Sequence, residues 1–155
     1  MAIHFAIDHQ AQVINLSLGG PDDPILAALI DVAVARGAKV VAAYDRAAPQ
    51  GGFPASHPGV IAVADEVLAP LPTGVYSAPG RDVPTTEPGG RWRLVSGSSY
   101  AAAHVSGLLA LVKERRPLEQ TALGLVTART GGGIDACASL LRVSTRDDCA
   151  CAHPR

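Results

Sequence analysis

Three short apolar segments shape the first 64 residues: "VINLSLGG" at 13–20, "KVVAA" at 39–43 and "GVIAVA" at 59–64. They are rich in β-branched residues and bounded by glycine or by polar turns, as buried strands are. Between the first two lies "PDDPILAALIDVAVARG", 21–37, in which Ile25, Leu26, Leu29, Ile30 and Ala33 recur at helical spacing. Asp22 or Asp23 is placed to cap that helix, Pro24 suits its first turn, and Gly37 suits its end. A strand, a helix and two more strands, each strand nearly continuously apolar, call for a parallel sheet covered by helices on its faces. The fold class is therefore α/β.

The rest of the chain fits that frame. Hydrophobic residues make up 48% of the sequence but aromatic residues only 4%, so the core has to be built from Ala, Val, Leu and Ile. Residues 2–10 read as a short helix. The strongest helix runs over 99–116: small residues first (Ala101, Ala102, Ala103, Gly107), then Leu108, Leu109, Leu111 and Val112, then "KERRP". Cations near the last carbonyls and a following proline are a helix end. Further helices are expected near 118–129 and 135–141. One domain, 1–141, accounts for all of this, and 142–155 is a polar, cysteine-containing tail.

Charge and composition narrow the partners. Thirteen basic and fourteen acidic residues leave a formal charge of −1, with no basic stripe for nucleic acid. No apolar run reaches the roughly 18 residues of a membrane-spanning helix. The stretch "MAIHFAIDHQ" has neither the basic start nor the long apolar run of an export signal, and the compartment stays undetermined. Cys137 is expected as a small core residue. Cys149, Cys151 and His153 fall short of a four-ligand metal set at a familiar spacing, so no metal and no cofactor are expected.

The segment with chemical potential is "LVSGSSYAAAHVSG", 94–107. Ser99 stands where free backbone N–H groups and the helix dipole favour a developing oxyanion. On the residues alone, Ser99 is either the cap of a core helix or a nucleophile.

"GSSYAAAHVSG" resembles the serine motif of the subtilisin-like peptidases, G-T-S-M-A-x-P-H-V-A-G. Other segments match that family in the same order. "VINLSLGG" resembles its substrate-pairing strand, "GAKVVAAYD" the strand leading to its oxyanion asparagine, and "FPASHPGVIAVAD" its Pro-Ala turn and next strand. "YSAPG" resembles its S-A-P-G loop and "GGGIDACASLL" its closing helix. The likeness covers about residues 2–141 and implies the C-terminal portion of a subtilisin-like fold. It implies hydrolysis of peptide bonds in a peptide or protein substrate through an acyl-enzyme on Ser99. By the same resemblance Asp45 takes the oxyanion-donor position. Ser17, Leu18 and Gly19 take the strand positions that bind extended peptide, and Ala42, Ala43 and Tyr44 line the primary specificity pocket. His104 matches a histidine that is structural in the family.

A serine hydroxyl needs an adjacent base, itself held by an acid. The family's aspartate opens an Asp-(Ser/Thr)-Gly strand end and its histidine a His-Gly-Thr-His helix start. No aspartate here is followed by Ser/Thr-Gly, and no histidine by glycine. Asp45 replaces the family's asparagine, Tyr44 a glycine and Ala103 the motif proline. The expectation is the C-terminal portion of a subtilisin-like serine peptidase that is not competent alone. The first alternative is a non-enzymatic pseudopeptidase that at most holds peptide on 13–19, and the second is a split enzyme whose Asp and His arrive on another polypeptide. A sedolisin-like acid peptidase, in which an aspartate serves at the oxyanion position, is the more distant reading.

Overall fold

The computed structural model describes residues 2–66, 70–115, 124–127 and 133–141. Helix α1 (Ala2–Asp8) leads into strand β1 (Val13–Leu16), helix α2 (Pro24–Ala35) and strand β2 (Lys39–Ala43). Strands β3 (Ile61–Asp65) and β4 (Tyr76–Ala78) complete a four-stranded parallel sheet in the order β1-β2-β3-β4. Strands β5 (Val83–Glu87) and β6 (Arg91–Val95) form an antiparallel hairpin before the long helix α3 (Ser98–Arg115). Strands β7 (Val126–Thr127) and β8 (Ile134–Asp135) pair antiparallel, and helix α4 (Ala136–Leu141) follows.

Helix α2 begins as its sequence dictates. Asp23 is extended, and its carboxylate accepts the N–H groups of Ile25 (2.9 Å) and Leu26 (3.1 Å), while Pro24 fills the first turn. Alternation along β2 then divides the core. Val40 and Ala42 pack with Ile14, Leu16, Ile30 and Ala33 on the α1/α2 face. Val41 and Ala43 pack with Val63, Ala101, Val105 and Leu109 on the α3 face. Burial on both faces is why the strands lack polar alternation.

Four readings change. Strand β1 stops at Leu16 rather than running to residue 20, because 17–19 leave the sheet and Gly20 makes an isolated antiparallel bridge to Phe53. The segment read as a Ser-Ala-Pro-Gly loop contributes strand β4. The helix expected over 118–129 is not present in its described part. Gly124 adopts φ 70°, outside the helical region, and Val126–Thr127 pairs with β8. The remainder of that stretch lies outside the described residues, as does the 142–155 tail. Cys137, expected as a core thiol, is half-buried on α4 and disulfide-bonded.

Candidate active site

The carboxyl ends of β1 and β2 and the amino end of α3 meet at one edge of the sheet. Crevices outside the carboxyl ends of parallel strands are where α/β folds bind ligands. Ser99 is the second residue of α3, and a close approach fixes where that helix starts. Gly97 N–H donates to the Gly80 carbonyl (2.7 Å), which ties the entry of α3 to the chain leaving β4. A Cβ on Gly80 would lie 2.8 Å from the Asp65 Cβ, 2.9 Å from the Gly97 carbonyl oxygen and 3.2 Å from the Ala101 Cβ. Only glycine lets these segments touch.

From that seat Ser99 faces the continuation of β1. The Ser17 hydroxyl donates to the Ser99 carbonyl (2.8 Å), and the Ser99 hydroxyl donates to the Ser17 carbonyl at 3.4 Å. The second bond is long for an O–H···O contact, so it holds the Ser99 hydroxyl only weakly. Behind this pair runs a chain of side chains. Asn15 donates its amide N–H to Ser17 Oγ (2.9 Å), and the Ser106 hydroxyl lies within reach of Asn15 Oδ1 (3.1 Å) and the Ala102 carbonyl (2.8 Å). Sequence reasoning passed over Asn15 and Ser106. The available signal was two polar residues, Asn15 and Ser17, at alternate positions of an otherwise apolar strand, which puts both on one face.

The second wall is the exit of β2. Ala42 and Ala43 are buried, Tyr44 is half-buried and Asp45 is exposed. Asp45 N–H donates to the Gly51 carbonyl (2.9 Å), and Asp45 Oδ1 accepts the Ala47 N–H (2.9 Å). This carboxylate thus works as a turn-forming acceptor, and an ionised carboxylate has no proton to donate to an oxyanion. Leu18 and Gly19 are exposed beside it, and Gly20 N–H donates to the Phe53 carbonyl (2.9 Å), joining the two walls.

His104 lies outside this arrangement. Its Nδ1 donates to the Pro79 carbonyl (2.7 Å). Five residues along a helix is a turn of roughly 140° away from Ser99. Among the described residues, neither a histidine nor a carboxylate bonds to the Ser99 hydroxyl. Nor, among them, is any group of three or more His, Cys, Asp or Glu placed to hold a metal ion, and no helix is long and apolar enough to cross a membrane.

Residues 1–130 match the model of the subtilase family. The chain belongs to the subtilase family. This subtilase is 35% identical to a subtilisin of Bacillus pumilus, over 74% of its own length and 47% of that protein's. It is 35% identical to an intracellular serine protease of Paenibacillus polymyxa, over 72% and 39% respectively. It thus spans less than half the length of either relative. Among solved structures, the prenylagaramide maturation protease PagA superposes with a TM-score of 0.73 at 22% identity, covering 92% of this chain and 65% of PagA. That likeness shows the fold alone. It also bears out the α/β reading with a parallel sheet flanked by helices, which matches only part of the larger protease. The subtilase has its serine at the amino end of the buried helix, beside the strand continuation at 17–19.

Proposed function

We propose that this subtilase segment contributes the nucleophile and one substrate-binding wall to a serine endopeptidase site. An extended peptide lies along 17–19 by strand addition, and its scissile carbonyl carbon approaches Ser99 Oγ. A base takes the hydroxyl proton as the Oγ–C bond forms. The resulting oxyanion meets the N–H groups at the amino end of α3. Collapse of that intermediate breaks the peptide C–N bond, the base returns its proton to the leaving amine, and water hydrolyses the acyl ester at Ser99. The observation that carries this reading is the position of Ser99, at the amino end of a buried helix with its hydroxyl weakly held against Ser17.

In this proposal the base and its orienting acid come from chain other than residues 1–155, in the same polypeptide or a second one. Among the described residues β1 is an edge strand of the parallel sheet, and that edge, with the exposed face of α3 that carries Ala103, Gly107, Ala110 and Leu111, is the surface such a segment covers. The non-enzymatic reading, a peptide-holding remnant, is supported by Asp45, which accepts a hydrogen bond where the family presents a donor.

A fluorophosphonate probe tests the proposal. The purified 155-residue chain should not be labelled. Adding a polypeptide that carries the family's Asp and His segments should produce labelling that Ser99→Ala abolishes. Labelling of Ser99 in the isolated chain would show that no outside base is required. No labelling in the complex, once its formation is verified by sedimentation, would leave the non-enzymatic reading.

A further inference from the structure

Three polar side chains form a line from the middle of α3, by way of β1, back to the first turn of α3. The Ser106 hydroxyl reaches Asn15 Oδ1 (3.1 Å), Asn15 Nδ2–H donates to Ser17 Oγ (2.9 Å), and the Ser17 hydroxyl donates to the Ser99 carbonyl (2.8 Å). The line has a direction. A serine hydroxyl owns one proton, so Ser17 donates to one group at a time. Asn15 presents an N–H to Ser17 Oγ, which leaves the Ser17 proton for Ser99. An oxygen in the place of that N–H would draw the proton toward residue 15, and the Ser99 carbonyl would lose its donor. A donor on the Oδ1 side keeps the amide in the sense observed, and Ser106 is that donor. Ser106 stands where the family's serine motif has alanine. It shares its one proton between Asn15 Oδ1 and the Ala102 carbonyl (2.8 Å), so it is the weakest member of the line.

We propose that Asn15 and Ser106 are positioning residues: they set the direction of the Ser17 proton and so hold the Ser99–Tyr100 peptide unit in register with the strand continuation at 17–19. Packing of α3 on β2 and β3 brings the two segments together, and the relay sets their register once they are there. The Cα and Cβ that carry the Ser99 hydroxyl lie within two bonds of the carbonyl carbon that Ser17 holds. The same register places Ser99 Oγ at 3.4 Å from the Ser17 carbonyl. The proposal rests on the peptidase reading for what the register serves, and on the hydrogen bonds alone for the relay itself.

Asn15→Asp is the sharpest test, since a carboxylate keeps the shape of the amide and has no N–H to donate. Ser99–Tyr100 is the only Ser-Tyr pair in the sequence. Serine labelled with carbon-13 at the carbonyl, combined with nitrogen-15 tyrosine, therefore gives a single carbon–nitrogen peak. Magic-angle-spinning NMR reads that peak in the full chain whether or not the chain associates. Ser17→Ala should move it, because the carbonyl loses its donor. Asn15→Asp should move it in the same direction, and Ser106→Ala in that direction by less. In a complex that fluorophosphonate labels, Asn15→Asp should slow labelling of Ser99 about fivefold, the weight of one hydrogen bond. An Asn15→Asp peak at the wild-type position, or moved the opposite way, overturns the proposal. If that variant does not fold, an unmoved peak in Ser106→Ala overturns it. A moved peak with labelling at the wild-type rate shows a relay that positions nothing, and overturns it as well. If the wild-type complex is not labelled at all, the peptidase reading falls and takes the positioning role with it, whether or not the peak moves.

Discussion

Replacing Gly80 by alanine probes directly what seats Ser99. The added methyl would sit 2.8 Å from the Asp65 Cβ and 2.9 Å from the Gly97 carbonyl oxygen. Neither is the end of a flexible side chain: one is at the end of β3 and the other is backbone at the entry to α3. Relief requires the two segments to separate, and overpacking of this kind costs about 1–3 kcal/mol. For a chain of this size each kcal/mol moves the melting temperature by about 2–4 °C, so Gly80→Ala should melt about 2–12 °C lower. Gly107 supplies the control. It lies inside α3, is exposed, and a Cβ there would meet nothing within 4 Å. Alanine should therefore gain helix propensity, about 0.5–1 kcal/mol, and raise the midpoint by about 2 °C. Both variants can be followed by circular dichroism at the same scan rate. In the completed enzyme Gly80→Ala should also slow labelling of Ser99, since the seat and the nucleophile share one turn of chain. Gly80→Ala that melts within a degree of wild type, or two variants that shift in the same direction, would refute the close-approach argument.

In a complex that restores activity, Asp45→Asn should raise kcat near neutral pH. One good oxyanion donor is worth about 2.7–4 kcal/mol, and a fall in kcat would show that Asp45 serves protonated. Asp23→Ala should destabilise the chain by about 0.5–2 kcal/mol in urea, because two N–H groups at the start of α2 lose their acceptor. The isolated chain should self-associate and bind a hydrophobic dye, because among the described residues β1 is an unpaired sheet edge and Leu111 on α3 is exposed. A dye-silent monomer by sedimentation would contradict that.

What the sequence made legible follows from burial. β2 and β3 are buried on both faces, so unbroken apolar runs announced them. α2 carries its own punctuation in Asp23, Pro24 and Gly37. The β5–β6 hairpin went unread because its burial is shallow: Trp92 and Leu94 are exposed, so alternation left no hydrophobic signature. Within 118–129, where leucines and alanines stand at helical spacing, the described residues 124–127 depart from helix at Gly124 and enter strand β7. At the site, the serine motif marked Ser99, but Gly80 looked like any loop glycine. A glycine letter does not distinguish a need for backbone freedom from a need for missing bulk, and here only the contact with Asp65 and Gly97 decides. Tyr44 was visible as a departure from the family's glycine, whereas its fit against Gly51, where a Cβ would collide with the ring, became apparent only in the structure.

The paired hydrogen bonds between Ser17 and Ser99 join residues 82 apart in sequence. Closing a flexible loop of that length costs about 4 kcal/mol, from (3/2)RT ln n. Two exposed hydroxyl–carbonyl bonds contribute about 1 kcal/mol each at best, and the long one less. They cannot bring the two ends together. Docking of Val105 and Leu109 onto β2 and β3 does that work, and the serine pair registers that it has happened. The approach of Ser99 to residues 17–19 therefore depends on the docked core of α3, not on the serine pair itself. Whatever loosens α3 from β2 and β3 also takes Ser99 away from that strand continuation, so the integrity of the core and the geometry of the proposed site stand or fall together.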